Sequence, residues 1–237
     1  MDYLRHMISW LEYYKPAAAL IKQTLEQTGE IQIMELCAGG GGGALKMKKY
    51  LRDLNCSSKI FLSDLYPNIE TYEKLKEQTR GEIDFIPVPV NALNVPEDLK
   101  GMRVIFSAFH HFNSDRATKI LKDAAGKKVP IAIFDAGKNL FDIFLIILLE
   151  PISFFFLTPF FKPFRWSRLL FTYIIPLIPL CTMWDGCVSV LRFYSLKEMK
   201  RLVSEIEKEN YSWQVGQVRN KIGTQVNYVI GIPLREL

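Results

Sequence analysis

Ile33-Met34-Glu35-Leu36-Cys37-Ala38-Gly39-Gly40-Gly41-Gly42-Gly43-Ala44-Leu45 reads as an apolar strand, a run of five glycines and the opening of a helix. Glycine lets the backbone turn sharply and lets a ligand approach the main chain with no Cβ in the way. The N–H groups at a helix start favour an electron-rich or anionic group. Working outward, Phe61-Leu62-Ser63-Asp64 ends a second strand, and Asp64 lies 23 residues beyond Gly41. At that spacing a carboxylate can accept bonds from the two hydroxyls of a ribose.

The flanking sequence continues the rhythm. Ile31–Leu36, Lys59–Ser63, Ile83–Val88, Arg103–Ala108 and Val129–Phe134 read as strands. Helical spacing covers Ala44–Leu54, Ile69–Thr79 and about Asp115–Ala125. Strands alternating with helices predict a parallel sheet with helices on both faces. Residues 2 to about 28 read as one or two helices broken near Lys15-Pro16, with Gly29 as the stop. Late in the chain, Ser195 with Glu198 is a capping box that opens a helix over Leu196–Lys208. Tyr211–Val218 and Gln225–Ile232, joined by a turn, close the chain as a hairpin and bring the strand count to seven.

The bulk properties agree with one folded α/β domain. The chain has 237 residues, 49% hydrophobic and 23% charged, enough for a sizeable core. A net charge of +5 is a mild excess that suits a weakly anionic partner such as a membrane surface, or an ordinary basic surface. It is not the basic density of a nucleic-acid binder. Cys37, Cys56, Cys181 and Cys187 form no CxxC pair, which points to a reduced, cytoplasmic protein. His6, His110 and His111 have no partners at ligand spacing, so no metal site is expected. Met1–Met7 lacks the basic region and apolar run of a signal peptide.

A strand, glycine loop, helix, strand and acid in that order do not separate nicotinamide from S-adenosylmethionine. The segment from Glu35 to Gly41 resembles the first motif of class I S-adenosylmethionine-dependent methyltransferases, an acidic residue followed by G-x-G-x-G, with Cys37 where that family usually has its first glycine. The resemblance covers residues 31–136 and extends weakly to the last helix and strands. It implies a doubly wound, seven-stranded, mostly parallel Rossmann-like sheet spanning 1–237, capped by helices in 1–30 and carrying an apolar helical insertion at 140–184. It implies that Glu35 faces the methionine end of the cofactor and that Cys37, Ala38, Gly39, Gly40 and Gly41 cradle it. Asp64, with Leu65 beside it, matches the ribose-binding acid. Val90-Asn91-Ala92-Leu93 resembles the family's third motif, usually Asp-Ala; Asn91 can still accept a bond from the adenine amino group. Ser107-Ala108-Phe109-His110-His111 resembles the S-x-x-H-H stretch of small-molecule methyltransferases. A short-chain dehydrogenase would need a late Tyr-x-x-x-Lys, and that spacing occurs at Tyr72 and Lys76, in the second helix.

Methyl transfer from a sulfonium is an in-line displacement, and it needs a base when the acceptor is a hydroxyl, thiol or ammonium. His110 or His111, at the carboxyl end of a central strand, suits that work; the bland alternative is that one shapes the pocket and the other packs. Asp135 ends the fifth strand, where it could touch substrate or cap the next segment.

Residues 140–184 break the rhythm with Phe, Leu, Ile and Pro. Phe141–Phe161 is 21 residues, long enough to span a bilayer by count, but Glu150-Pro151 sits in its middle. A carboxylate there costs roughly 2.5–3.5 kcal/mol on insertion scales. Three readings stand: a helical hairpin at a membrane interface, a lid over an apolar substrate, and a homodimer interface. The stretch from Trp184 to Ser195 resembles a W-D-G-x-x-S-x-L-R-x-Y-S pattern of uncharacterised bacterial methyltransferase-like proteins; Asp185, Ser189, Arg192 and Tyr194 are its candidate acceptor-site residues, or a structural network. The expected function is methyl transfer to a small, hydrophobic or lipid-like acceptor, with a peripheral membrane contact and no nucleic acid. An inactive scaffold and a nicotinamide enzyme are the competing readings.

Overall fold

In the computed structural model, residues 12–139, 141–160, 164–206, 210–220 and 223–234 are described. They form two compact units, one of residues 12–137 with 194–234 and one of residues 138–193.

The first unit is built on one seven-stranded sheet. Its strands are β1 (Gln32–Leu36), β2 (Lys59–Leu62), β3 (Ile83–Phe85), β4 (Met102–Phe106), β5 (Ile131–Ala136), β6 (Tyr211–Arg219) and β7 (Gln225–Pro233). Their spatial order is β3-β2-β1-β4-β5-β7-β6. The first five run parallel, while β7 lies antiparallel between β5 and β6. The chain steps outward from β1 to β3, then returns to β4 beside β1, so the connections diverge above the carboxyl ends of β1 and β4. Such a switch point leaves a crevice where open α/β sheets hold ligands.

Five helices flank this sheet: α1 (Ala17–Thr28), α2 (Ala44–Asp53), α3 (Ile69–Gln78), α4 (Ser114–Gly126) and, late in the chain, Leu196–Ser204. The strands are apolar on both faces because both are covered. Alternate residues feed opposite layers. Ile33, Val104 and Phe134 pack with Ile21, Met47, Leu51 and Tyr72 from α1 to α3. Met34, Ile105 and Ile133 pack with Ile120 and Leu121 of α4 and with Met199 and Leu202. The Ser195–Glu198 capping box is present as read, and Gly29 ends α1 at φ +77°.

The third strand and the apolar insertion end elsewhere than the sequence reading placed them. The third strand ends at Phe85 rather than Val88, because Pro87 and Pro89 carry no N–H for a ladder. Before Ala17 the chain turns through 12–16, and the helix expected over 2–11 lies outside the described residues. The apolar insertion extends to Phe193. Its helices are α5 (Phe141–Leu157), α6 (Trp166–Leu169) and α7 (Leu177–Arg192), with a π-helical turn at Leu170–Ile174. The helix of Leu196–Ser204 is therefore α8. α7 continues past Trp184 through Asp185, Ser189 and Arg192. It tolerates Pro179 because a first-turn N–H has no helical partner to lose.

Candidate functional site

The glycine loop is held from three sides. Ala38 donates its N–H to the Ser63 carbonyl at 3.0 Å, and Gly41 donates to Ala38 at 2.7 Å. Gly39 donates to Asp64 Oδ2 at 2.8 Å. The buried Tyr72 hydroxyl donates to the Gly39 carbonyl at 2.7 Å. The loop needs left-handed backbone at Gly39 (φ +54°) and Gly41 (φ +63°). A Cβ on Gly41 would come 2.8 Å from Cδ1 of both Leu62 and Leu75, whereas one on Gly39 would meet nothing within 4 Å. Gly41 is thus required by packing as well as torsion, and Gly39 by torsion alone. Among the described residues, the amides of Gly40, Gly42 and Gly43 make no hydrogen bond within the fold.

Cys37 stands at φ +57°. That is the left-handed region where a side chain is costly and glycine is free. Cys37 therefore carries torsional strain that a glycine at this position would not. Burial, with Asp64 and Glu35 nearby, pushes its thiol up to about 12.

Two carboxylates flank the loop. Asp64 accepts one N–H on each oxygen, from Gly39 on Oδ2 and from Tyr66 on Oδ1 at 2.9 Å. Each oxygen keeps lone-pair capacity for a further donor. Leu65 and Tyr66 are exposed beside it. Glu35 is 5% exposed, and its side chain has no hydrogen-bond partner among the described residues. Burial raises it to about 7. An unpartnered buried acid is costly, and such groups concentrate at sites that bind or react.

Val90 donates to the Asp64 carbonyl at 2.8 Å and so ties the third loop to the second strand. Asn91 is exposed, with Oδ1 accepting from Leu93 N at 3.0 Å, and Ala92 is buried. Asn91 thus uses one lone pair in its own turn and retains the other.

A second cluster lies at the ends of β4 and β5. His110 is buried, and its Nδ1 lies 2.9 Å from Asp135 Oδ2; the same oxygen accepts the His110 backbone N–H at 2.9 Å. Asp135 is 0% exposed. It lies under His110, where it holds the ring and the main chain, and its Oδ1 accepts the Ala136 N–H at 3.0 Å. His111 is exposed, and its ring centroid lies 4.2 Å from that of His110. Ser107, at φ +48°, shares a short hydrogen bond with the Tyr14 hydroxyl. Tyr14 is held well above the ordinary phenol range, first by burial and then by Asp135.

The remaining candidates separate. Asp185, Ser189 and Arg192 fall on one face of α7 at helical spacing, with Asp185 and Arg192 exposed. Tyr194 belongs to the sheet unit, where it is buried against Phe109, donates its hydroxyl to Phe112 O at 2.7 Å and accepts Asn227 Nδ2 on its carbonyl at 3.0 Å. Its polar atoms are committed to the fold. Tyr14 and Tyr72 were not singled out from sequence as site residues; each acts through a hydroxyl that reaches a partner 93 or 33 residues away, which no local pattern reveals.

No protein-family model matches the chain, and no curated protein matches it. Solved structures do. The citrinin polyketide synthase methyltransferase domain superposes with TM-score 0.51 at 11% identity over 87% of this chain and 47% of that one. The neocarzinostatin O-methyltransferase, crystallised with S-adenosylmethionine and 2-hydroxy-5-methyl naphthoic acid, superposes with TM-score 0.56 at 13% identity over 98% of this chain and 56% of that one. The plantazolicin methyltransferase, crystallised with a pentazolic desmethylPZN analogue and SAH, gives TM-score 0.59 at 11% identity over 95% of this chain and 86% of that one. The chain spans about half the length of the first two. It has the fold of the class I S-adenosylmethionine-dependent methyltransferases.

Proposed function

We propose that this chain transfers a methyl group from S-adenosylmethionine to a small, hydrophobic or lipid-like acceptor. The observation that carries the reading is the convergence of Glu35, the unengaged glycine-loop amides and Asp64 at the carboxyl ends of β1 and β2. The residues fit the cofactor. Gly41 packs against the buried Leu62 and Leu75 with no room for a side chain, which fixes the path of the loop. The lone pairs left on Asp64 suit a ribose diol. Glu35 is a buried carboxylate without a protein partner, suited to the cationic methionine end. The bound cofactor would supply an electrophilic methyl on sulfur.

His110 is the base for a hydroxyl acceptor. Asp135 at 2.9 Å holds its Nδ1 and fixes the ring in place. The protein's task is to hold acceptor and methyl about 3–3.5 Å apart and in line. The acceptor class is supported by the natural-product enzymes that share the fold, whose ligands include an aromatic hydroxy acid. Incubating the purified chain with methyl-labelled S-adenosylmethionine and either aromatic hydroxy acids or total membrane lipid tests it. Label in organic-extractable product, lost in Asp64→Ala, supports the reading; absence of transfer to either pool contradicts it.

A further inference from the structure

Of the 24 large apolar side chains exposed among the described residues, 19 lie between Phe144 and Leu191. Contiguous apolar surface on this scale marks an interaction site. Its distribution identifies the partner. Along α5, Phe144, Leu148 and Phe155 fall on one line, Leu149, Ile152 and Phe156 lie roughly 100° round from it, and Ile147 lies on a third side. All seven are exposed. They span roughly 200° of the helix circumference, wider than the stripe that one partner helix covers, with Phe154 buried on the remaining side.

The backbone is adapted to the same medium. Pro159 has no N–H for the carbonyl of Phe155, four residues before it. The Tyr173 hydroxyl donates to that carbonyl instead. In hydrocarbon, with no water to substitute, such a repair is needed.

Depth follows from length and charge. No single described helix is long and apolar enough to cross a membrane. Asp142–Leu149 and Pro151–Phe160 meet at 41°, and Trp166–Ile174 and Leu177–Arg192 meet at 77°. The longest straight piece, α7, has 16 residues, about 24 Å at 1.5 Å per residue against a hydrocarbon core of about 30 Å. Between α5 and α7, Phe160-Phe161-Lys162-Pro163-Phe164-Arg165-Trp166-Ser167-Arg168 holds three basic residues and no acid. Trp166 and Trp184 are 78% and 73% exposed, the amphipathic ring type that settles at headgroup level.

We infer that residues 138–193 form a monotopic hairpin that lies in one leaflet of a bilayer containing anionic phospholipid, with the basic, aromatic segment Phe164–Arg168 at the headgroups. This goes beyond the methyl-transfer reading and does not depend on it. The test is cell-free synthesis of the full chain with vesicles of phosphatidylcholine alone or with phosphatidylglycerol at three to one, followed by flotation, with S-adenosylhomocysteine binding measured on the same material. The chain should float with both, more with phosphatidylglycerol. Arg165→Gln with Arg168→Gln should abolish the preference. Phe156→Ser, Phe160→Ser and Trp166→Ser together, all at exposed positions, should lower partitioning on the order of tenfold or more. A far-ultraviolet circular dichroism spectrum and melting transition matching wild type show that the triple variant is folded. A chain that stays soluble without lipid, or a dimer that protects Phe156 and Trp166 from solvent and does not float, overturns the inference.

Discussion

The backbone N–H of Gly39 meets Oδ2 of Asp64 at 2.8 Å, joining the loop after β1 to the end of β2. Two segments 25 residues apart are thereby fixed as one surface before any ligand arrives. Preorganisation of this kind lowers the ordering cost of binding. It also makes Asp64 bifunctional, since the carboxylate that holds the loop keeps lone pairs turned to a ligand's hydroxyls in the proposed function.

The two left-handed glycines should differ under substitution. Gly41→Ala combines the φ penalty with contacts at 2.8 Å to Leu62 and Leu75, so it should cost roughly 2–4 kcal/mol and lower Tm by about 5–15 °C. Gly39→Ala, with open space around its Cβ, should cost about 1 kcal/mol. Differential scanning calorimetry of the two variants checks the ranking; equal losses contradict it.

Glu35 should make stability pH-dependent. Burial raises it from 4.5 to about 7, so the folded chain holds its proton more tightly than the unfolded chain does. Its stabilising effect is complete below 4.5 and is lost as pH climbs through 7. The gap is worth about 3 kcal/mol at most. Glu35→Gln should flatten the fall in Tm between pH 5 and pH 8.5, and a variant with the wild-type slope would assign that fall elsewhere. If the ionised carboxylate pairs with the ligand's cationic end, wild-type affinity for S-adenosylhomocysteine should rise with pH over the same window and that of Glu35→Gln should not.

Cys37 should be inert despite its place at the site. Its thiol is pushed up to about 12, and thiolate is the reactive form. Iodoacetamide at pH 8, followed by peptide mapping, should spare Cys37 until the chain is denatured. Alkylation of Cys37 in the native chain as fast as in the denatured chain would contradict this environment.

The two histidines should separate in kinetics. With a hydroxyl acceptor, His110→Ala should lower kcat by about a hundredfold or more. Asp135→Asn should lower it less, because the ring loses the carboxylate that holds Nδ1. His111→Ala, at an exposed position, should leave kcat near wild type. None of the three should alter S-adenosylhomocysteine affinity. Equal losses for His110 and His111 would remove the assignment.

The sheet was readable because its signals are local. Apolar runs, the five-glycine loop, Gly29 and the Ser195 box each act within a few residues. The order of β1, β2 and Asp64 could be placed from spacing alone. What lay beyond reach acts across the chain. His110 and Asp135 were each named, but their pairing spans 25 residues. Tyr72 entered the sequence reading through its spacing to Lys76, whereas its hydroxyl serves Gly39. The end of the insertion was misplaced because Asp185, Ser189 and Arg192 look like pocket residues in sequence, while helical spacing places them along α7.

The central claim is that the Gly39–Asp64 cradle holds an adenosyl ligand, and calorimetric titration of the full chain measures it most directly. The account predicts that S-adenosylhomocysteine binds, that NADH does not, and that Asp64→Ala weakens binding by roughly 30-fold, the loss of about 2 kcal/mol expected for bonds to a charged group. No heat with S-adenosylhomocysteine up to about 1 mM, where binding energy is only about 4 kcal/mol, or equal affinity in wild type and Asp64→Ala, would contradict it.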